Sequence, residues 1–267
     1  MHMKRLVEVT KDEEEHASEL YRNSVIVNCL DASTIDDEYV RMVRDAGVTA
    51  MGMGVEAGFQ GVASRYVLIR TNPEIVGPVT TVKEIREAKR TGRVAAFLNA
   101  QNSTMLIKGA GPDFELLPLY YKLGLRILEP TYNTRNVFAE GCGERTNAGL
   151  SRYGIQLVER MNELNILCDC SHMGVQDTLD CCEYATFPVC THSNARAVCD
   201  NVRNRTDEEI KAIAEKDGVL GLVTFPSFVK WTKMEEGEKP TIEDVLDHVD
   251  YMDKLVGVKH AGVGLDL

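Results

Sequence analysis

The chain has 267 residues, 44% of them hydrophobic, enough for one large domain with a sizeable core. Its 41 acidic side chains outnumber 30 basic ones, for a formal charge of −11, and no Lys/Arg cluster offers a face for phosphates, which argues against a nucleic-acid partner. No apolar run approaches the roughly 20 residues of a membrane helix, and the opening MHMKRLVEVTKDEEE lacks a signal-peptide core, so a cytoplasmic protein with no membrane partner and eight reduced cysteines is expected.

In chain order, residues 11–15 (KDEEE) read as a solvated helix start. Residues 25–30 (VIVNCL) form the first β-rich run, followed by a helix from Asp36 that turns Val40, Met42, Val43 and Ala46 inward and stops at Gly47. The second strand spans 48–53. A long excursion then passes Gly58, Gly61 and Asn72-Pro73 before a helix over 81–90, closed by Gly92. Strand three is 94–99, and a helix over 114–123 leads through Gly124 to strand four, 126–132. A polar, Gly-rich loop over 133–151 precedes a helix over 152–164 with Ile155, Leu157, Val158, Met161 and Leu164 at helical spacing. Strand five is 166–172, its helix 175–184, and strand six 188–192. Thr206 and Glu209 form a capping box for the next helix. Strand seven is 219–225, a helix runs from Thr241 to Leu255, and strand eight is 261–266.

Eight alternating units predict the α/β class, specifically an eight-fold (β/α)8 TIM barrel spanning residues 1–267 as a single domain. An open doubly wound sheet usually has fewer strands, and neither GxGxxG after the first strand nor a P-loop is present.

The polar residues fall at strand ends: Asp31 after the first, Gln101 and Asn102 after the third, Tyr132 and Asn133 after the fourth, His172 and His192 ending the fifth and sixth, and Asp266 ending the eighth. In a barrel those ends converge on one mouth. One such histidine alone is more often a hydrogen-bonded core residue. Two on adjacent strands, with Asp266 on another, point to a shared metal, for which neutral imidazole is a good ligand. A bound zinc makes hydroxide available near neutral pH. Cys29 and Asp31, two apart on a strand, share a face and could both reach a central metal; equally, Cys29 is core filler and Asp31 a turn residue. Arg203 could grip a carboxylate bidentately or form a surface ion pair.

The stretches at 128–136 (LEPTYNTRN), 141–151 (GCGERTNAGLS), 169–172 (DCSH), 191–199 (THSNARAVC) and 201–204 (NVRN) resemble the membrane dipeptidase (renal dipeptidase) family, in its microbial, non-anchored branch, over about residues 24–267. The resemblance implies an amidohydrolase-type barrel with two zinc ions bridged by a Glu, hydrolysing dipeptides. By motif, His172 and His192 match the ligands of the second metal, Arg203 the residue that binds the substrate carboxylate, and Asp266 the acid/base. Three positions depart from the pattern: Cys29-x-Asp31 replaces a His-x-Asp, Gln101 stands for the bridging Glu, and Tyr132 for a His that steadies the tetrahedral intermediate. The sequence ends at Leu267, where family members continue through further helices, so a missing segment or a partner subunit is expected to cover that side. The reading is a metal-dependent hydrolase of small amides, dipeptides first, holding one or two Zn ions. Asp266 is its acid/base and Tyr132 or Asn133 an oxyanion donor. His172, His192, Asp31, Cys29 and Gln101 stand at the metal positions. A homodimer is expected by analogy. The alternatives are a one-metal hydrolase of another amide, a lactone or an ester, and a non-catalytic barrel subunit.

Overall fold

A computed structural model of the chain describes residues 9–55, 58–231 and 239–266. From the start, helix α1 (Lys11–Asn23) leads to β1 (Val27–Asp31), α2 (Asp37–Asp45), β2 (Ala50–Gly54), α3 (Phe59–Thr71), β3 (Val76–Pro78), α4 (Val82–Thr91) and β4 (Val94–Ala100). A small hairpin, β5 (Ile107–Lys108) and β6 (Gly111–Pro112), precedes α5 (Leu116–Lys122), β7 (Leu125–Leu128), α6 (Arg152–Leu164), β8 (Leu167–Asp169) and α7 (Val175–Tyr184). The last quarter holds β9 (Pro188–Val189), α8 (Asp207–Glu215), β10 (Leu220–Leu222), α9 (Pro226–Val229), α10 (Ile242–Val256) and β11 (Ala261–Val263).

Six strands form a continuous parallel ladder in the order β1-β2-β4-β7-β8-β9. A parallel bridge between Cys190 and Leu220 carries the ladder to β10, which pairs with β11 in parallel. The cylinder closes where the Leu265 amide donates to the Asn28 side-chain oxygen of β1, at 3.2 Å. These eight strands are the eight predicted staves, closed into a barrel. β3 lies outside the count, on the N-terminal half of one edge of β4, while β7 takes the C-terminal half of the same edge.

β4 shows why the run 94–100 is a strand. All seven residues are buried, as in a stave covered on both sides. Ala95 and Phe97 pack inward with Ala50, Val79 and Ile127 to fill the lumen. Ala96, Leu98 and Ala100 face outward with Met51 and Met53 under the helices. Gly52 is required on β2, because a Cβ there would stand 2.3 Å from the Cys29 carbonyl oxygen.

Two differences from the sequence reading have physical causes. The excursion over 54–80 contains α3, whose N-cap Gly58 supplies no side-chain hydrogen bond and whose first turn has no acidic residue, so the usual helix-start signals are missing. The strands β7 to β11 stop earlier than their apolar runs. Beyond the ladder, side chains take over the backbone donors: Ser171 N and Thr191 N go to Asp169, His172 N to Glu129, and Val223 N to the Asn194 oxygen.

The mouth is braced from outside by an ion pair with no solvent access. Arg205 and Glu209 meet at 2.8 Å, with side chains 1% and 0% exposed. The same guanidinium donates to the carbonyls of Cys170 and Met173 and to the Thr178 hydroxyl, and the Glu209 carboxylate also caps α8 through Thr206 N. Removing one partner leaves the other charge buried and unpaired, which costs about 3–5 kcal/mol. Glu209→Ala should therefore lose about that much in a denaturant unfolding curve; a loss below about 1 kcal/mol, the scale of an exposed pair, would contradict this account.

Candidate active site

Beyond the C-terminal ends of β8 and β9 the chain turns His172 and His192 toward each other, Nε2 to Nε2 at 2.8 Å, with ring centroids 4.8 Å apart. The outer nitrogens fix the tautomers. His172 Nδ1 donates to the Asn133 side-chain oxygen at 2.7 Å. The Thr191 hydroxyl donates to Asp169 at 2.5 Å, so its oxygen is left to accept from His192 Nδ1, also at 2.7 Å. Both protons thus sit on the outer nitrogens, and two unprotonated nitrogens face one another, that of His172 also accepting from Arg203 Nη2 at 3.0 Å.

Asp169 anchors this arrangement. It accepts from Ser171 N, the Ser171 hydroxyl, Thr191 N and the Thr191 hydroxyl. Burial raises its pKa and these hydrogen bonds oppose the rise. Asn133 sits in the left-handed region at φ 54°, as does Asp266, also at 54°. Asn165 and Asp217 share that conformation at helix ends, whereas these two lie in mouth loops, where short polar side chains tolerate it best.

Arg203 is buried. It donates to the Ser171 carbonyl, and its Nη2 lies 3.0 Å from His172 Nε2. The Tyr132 ring, 43% exposed, stacks on His172 at 3.9 Å between centroids. Burial holds both imidazoles neutral by depressing their pKa values, and the nearby Arg203 charge adds to the effect. Asp266 is raised by burial; the Arg203 charge opposes the rise, while Asp169 and Asp31 add to it, so this carboxyl shares the electrostatic environment of the mouth.

The remaining sequence candidates are spread more widely. Asp31 is buried and fully engaged, accepting from Tyr39 OH at 2.8 Å, Asn28 Nδ2 at 3.2 Å and Ser33 N at 3.1 Å. Gln101 is buried just past β4, on the inward parity of Phe97 and Asn99. The β1–β2 register shifts between Asn28 and Asp31, so the simple two-residue alternation does not hold there. Cys29 instead lines an apolar cavity of about 310 Å³ with Val27, Phe97, Ile127 and Leu167, toward the strand N-termini. Its thiol is pushed up to about 11 by burial.

Sequence reasoning missed Glu129, Asp169, Thr191 and Cys142. Glu129 is fully buried. One carboxylate oxygen accepts from His172 N, while the other has no hydrogen-bond partner among the described residues. Burial and the neighbouring Asp169 raise its pKa far above the usual carboxylate range, with Arg203 opposing. A Glu on the parity of the lumen residue Ile127, inside an apolar strand, was the available signal. The Cys142 thiol donates to the Asn133 oxygen at 3.4 Å.

This donor set suits a cation. Two neutral imidazoles with outer nitrogens already held offer lone pairs whose 2.8 Å separation is within about half an ångström of that between ligands of one tetrahedral zinc. A carboxylate oxygen without a partner among the described residues is buried beside them. Among the described residues, no third His, Cys, Asp or Glu joins the pair with ligand atoms all within 4.8 Å of one another.

A family profile described as membrane dipeptidase (Peptidase family M19) matches residues 14–267. Among curated proteins, Dipeptidase verJ of Clonostachys rogersoniana is 28% identical over 83% of this chain and 55% of its own length. A protein of Klebsiella pneumoniae described as "Uncharacterized protein in pqqA 5'region" is 33% identical over 69% and 68%. The chain thus spans about half the length of the curated dipeptidases it matches. Among solved structures, an amidohydrolase from Pseudomonas aeruginosa superposes with a TM-score of 0.85 at 28% identity, over 94% of this chain and 76% of its own. A metallopeptidase from Rhodobacter sphaeroides, liganded with a phosphinate mimic of the dipeptide L-Ala-D-Ala, does so with 0.70 at 26% identity, over 96% and 69%.

Asn133→Ala frees the outer nitrogen of His172, and loss of such a partner typically weakens metal binding about 10–100-fold. A competition titration with a zinc chelator should read that loss. An affinity equal to wild type would show that the Asn133–His172 bond does not prepare the lone pair.

Proposed function

The chain belongs to the membrane dipeptidase family, peptidase family M19, and from that premise we propose that it is a zinc-dependent hydrolase of dipeptides, with His172 and His192 holding the ion. The observation that carries the proposal is the pair of unprotonated imidazole nitrogens facing each other in the barrel mouth, that of His172 accepting from an Arg203 guanidinium that must move aside for an ion to bind. A zinc ion held by His172 and His192 would supply Lewis acidity for the scissile carbonyl and for an attacking water near neutral pH.

The chain's own residues supply the rest. Arg203 is the only Lys or Arg among the residues that contact this imidazole pair in the described structure. Swung from the Ser171 carbonyl toward the substrate, it pairs with the terminal carboxylate. Asp266 takes the proton of the attacking water on its carboxylate and returns it to the leaving amine nitrogen. Its raised pKa suits a group that must hold that proton between the two steps. Asn133, its oxygen committed to His172 Nδ1, acts as a positioning residue. Its Nδ2–H and Tyr132 OH are the donors for the developing oxyanion.

The metal count proposed is one. Gln101 offers no charge between two close dications, and Cys29 lines the apolar cavity with Val27 and Leu167. Protein purified without chelators should carry about one zinc per chain by elemental analysis; a reproducible ratio of two would overturn the single-ion reading and leave the hydrolase standing.

His192→Ala removes one of the two imidazoles. Zinc content should collapse, and kcat/KM for a dipeptide such as Ala-Ala should fall at least about 100-fold. A wild-type protein that takes up no metal, together with unchanged turnover in the variant, would end the proposal. Among the described residues no helix is long and apolar enough to cross a membrane.

A further inference from the structure

The outer face of β8, turned away from the lumen, carries sulfur. Cys168 and Cys170 stand two residues apart on that strand and its continuation, and α7 brings Cys181 back over them. The three Sγ atoms all lie within 4.8 Å of one another, and each residue is at most 2% exposed. Cys168 and Cys181 sulfurs are 3.4 Å apart, and Met173 Sδ lies 3.8 Å from Cys181 Sγ.

Metal–sulfur bonds of about 2.3 Å place two sulfurs on one ion up to about 4.6 Å apart, and about 3.8 Å apart at tetrahedral angles. The trio therefore surrounds a volume the size of one ion, with adjustments of a few tenths of an ångström. Three thiols and a thioether form a wholly soft donor set. Zinc prefers four ligands and is poorly served by a thioether, whereas Cu(I) is selected by thiolate and thioether ligands. Charge points the same way, since a monovalent ion on a single thiolate with neutral sulfur partners is neutral overall, and a low-dielectric core penalises any net charge.

We propose that Cys168, Cys170 and Cys181 form a buried site for one Cu(I) ion, separate from the imidazole pair. Each thiol that binds as thiolate releases one proton to solvent, and no electron is transferred.

The test uses the full chain, reduced and kept anaerobic, titrated with Cu(I) against a coloured Cu(I) chelator. Wild type should take up one ion with a first coordination shell of sulfur alone by X-ray absorption. Cys181→Ala should bind at least about 100-fold more weakly, while Cys182→Ala, one residue away and outside the trio, binds like wild type. Circular dichroism confirms that the variants fold, and Cys181→Ser serves if the alanine variant does not. Failure of wild type to compete with the chelator, nitrogen or oxygen in the first shell, or equal binding by all variants would overturn the assignment. Zinc-supported dipeptide turnover of Cys181→Ala should match wild type, which keeps this result independent of the hydrolase proposal.

Discussion

The barrel mouth is organised around the buried carboxylate of Asp169. It accepts two backbone amides and two hydroxyls from the segments that leave β8 and β9. Those hydrogen bonds replace the ladder where the ladder ends, so the two segments keep a fixed separation without being strands. His192 inherits its tautomer from the same carboxylate through Thr191. Seen from Asp169, the scaffold and the imidazole pair are one network. An apolar residue at 169 would leave the buried amides of Ser171 and Thr191 without their acceptor and the lone pair of His192 unoriented.

Charge around that network is arranged to keep the imidazoles neutral. Arg203 and Arg205 both lower the readiness of the histidines to take a proton. Arg205 is itself neutralised by Glu209, and Glu129 lies close enough to Arg203 for each to shift the other. A metal ligand must offer a lone pair rather than a proton, so this cationic surround favours the ligand state while the pair is buried. The positive charge that discourages protonation is also suited to draw an anionic end group into the mouth.

The sequence made some parts of this legible. The helix starts at Thr206 and Thr241 were readable because a capping box is a local interaction, complete within four residues. The eight staves were readable because apolar runs alternated with helical spacing. His172 and His192 stood out because a polar ring ends each apolar run. Other parts depended on three-dimensional context. The β1–β2 register shifts between Asn28 and Asp31, and nothing in the residues two apart announces such a shift. Glu129 and Asp169 looked like ordinary polar interruptions. Their weight comes from burial among Arg203, Ser171 and Thr191, contributed by segments up to about 75 residues away in sequence. The place of Asn133 after a strand points to an oxyanion donor, but its oxygen's pairing with His172, across 39 positions, is visible only in three dimensions.

The closure of the cylinder has a consequence of its own. Seven of the eight stave-to-stave junctions are backbone ladders or a backbone bridge, whereas the seam between β11 and β1 is tied by the Asn28 side chain reaching Leu265 N. The same amide also holds Asp31. Among the described residues, a seam tied by one side chain has less backbone pairing to break than a ladder. That seam lies between Asp31 and Asp266, and each opening separates two acidic groups that share the mouth.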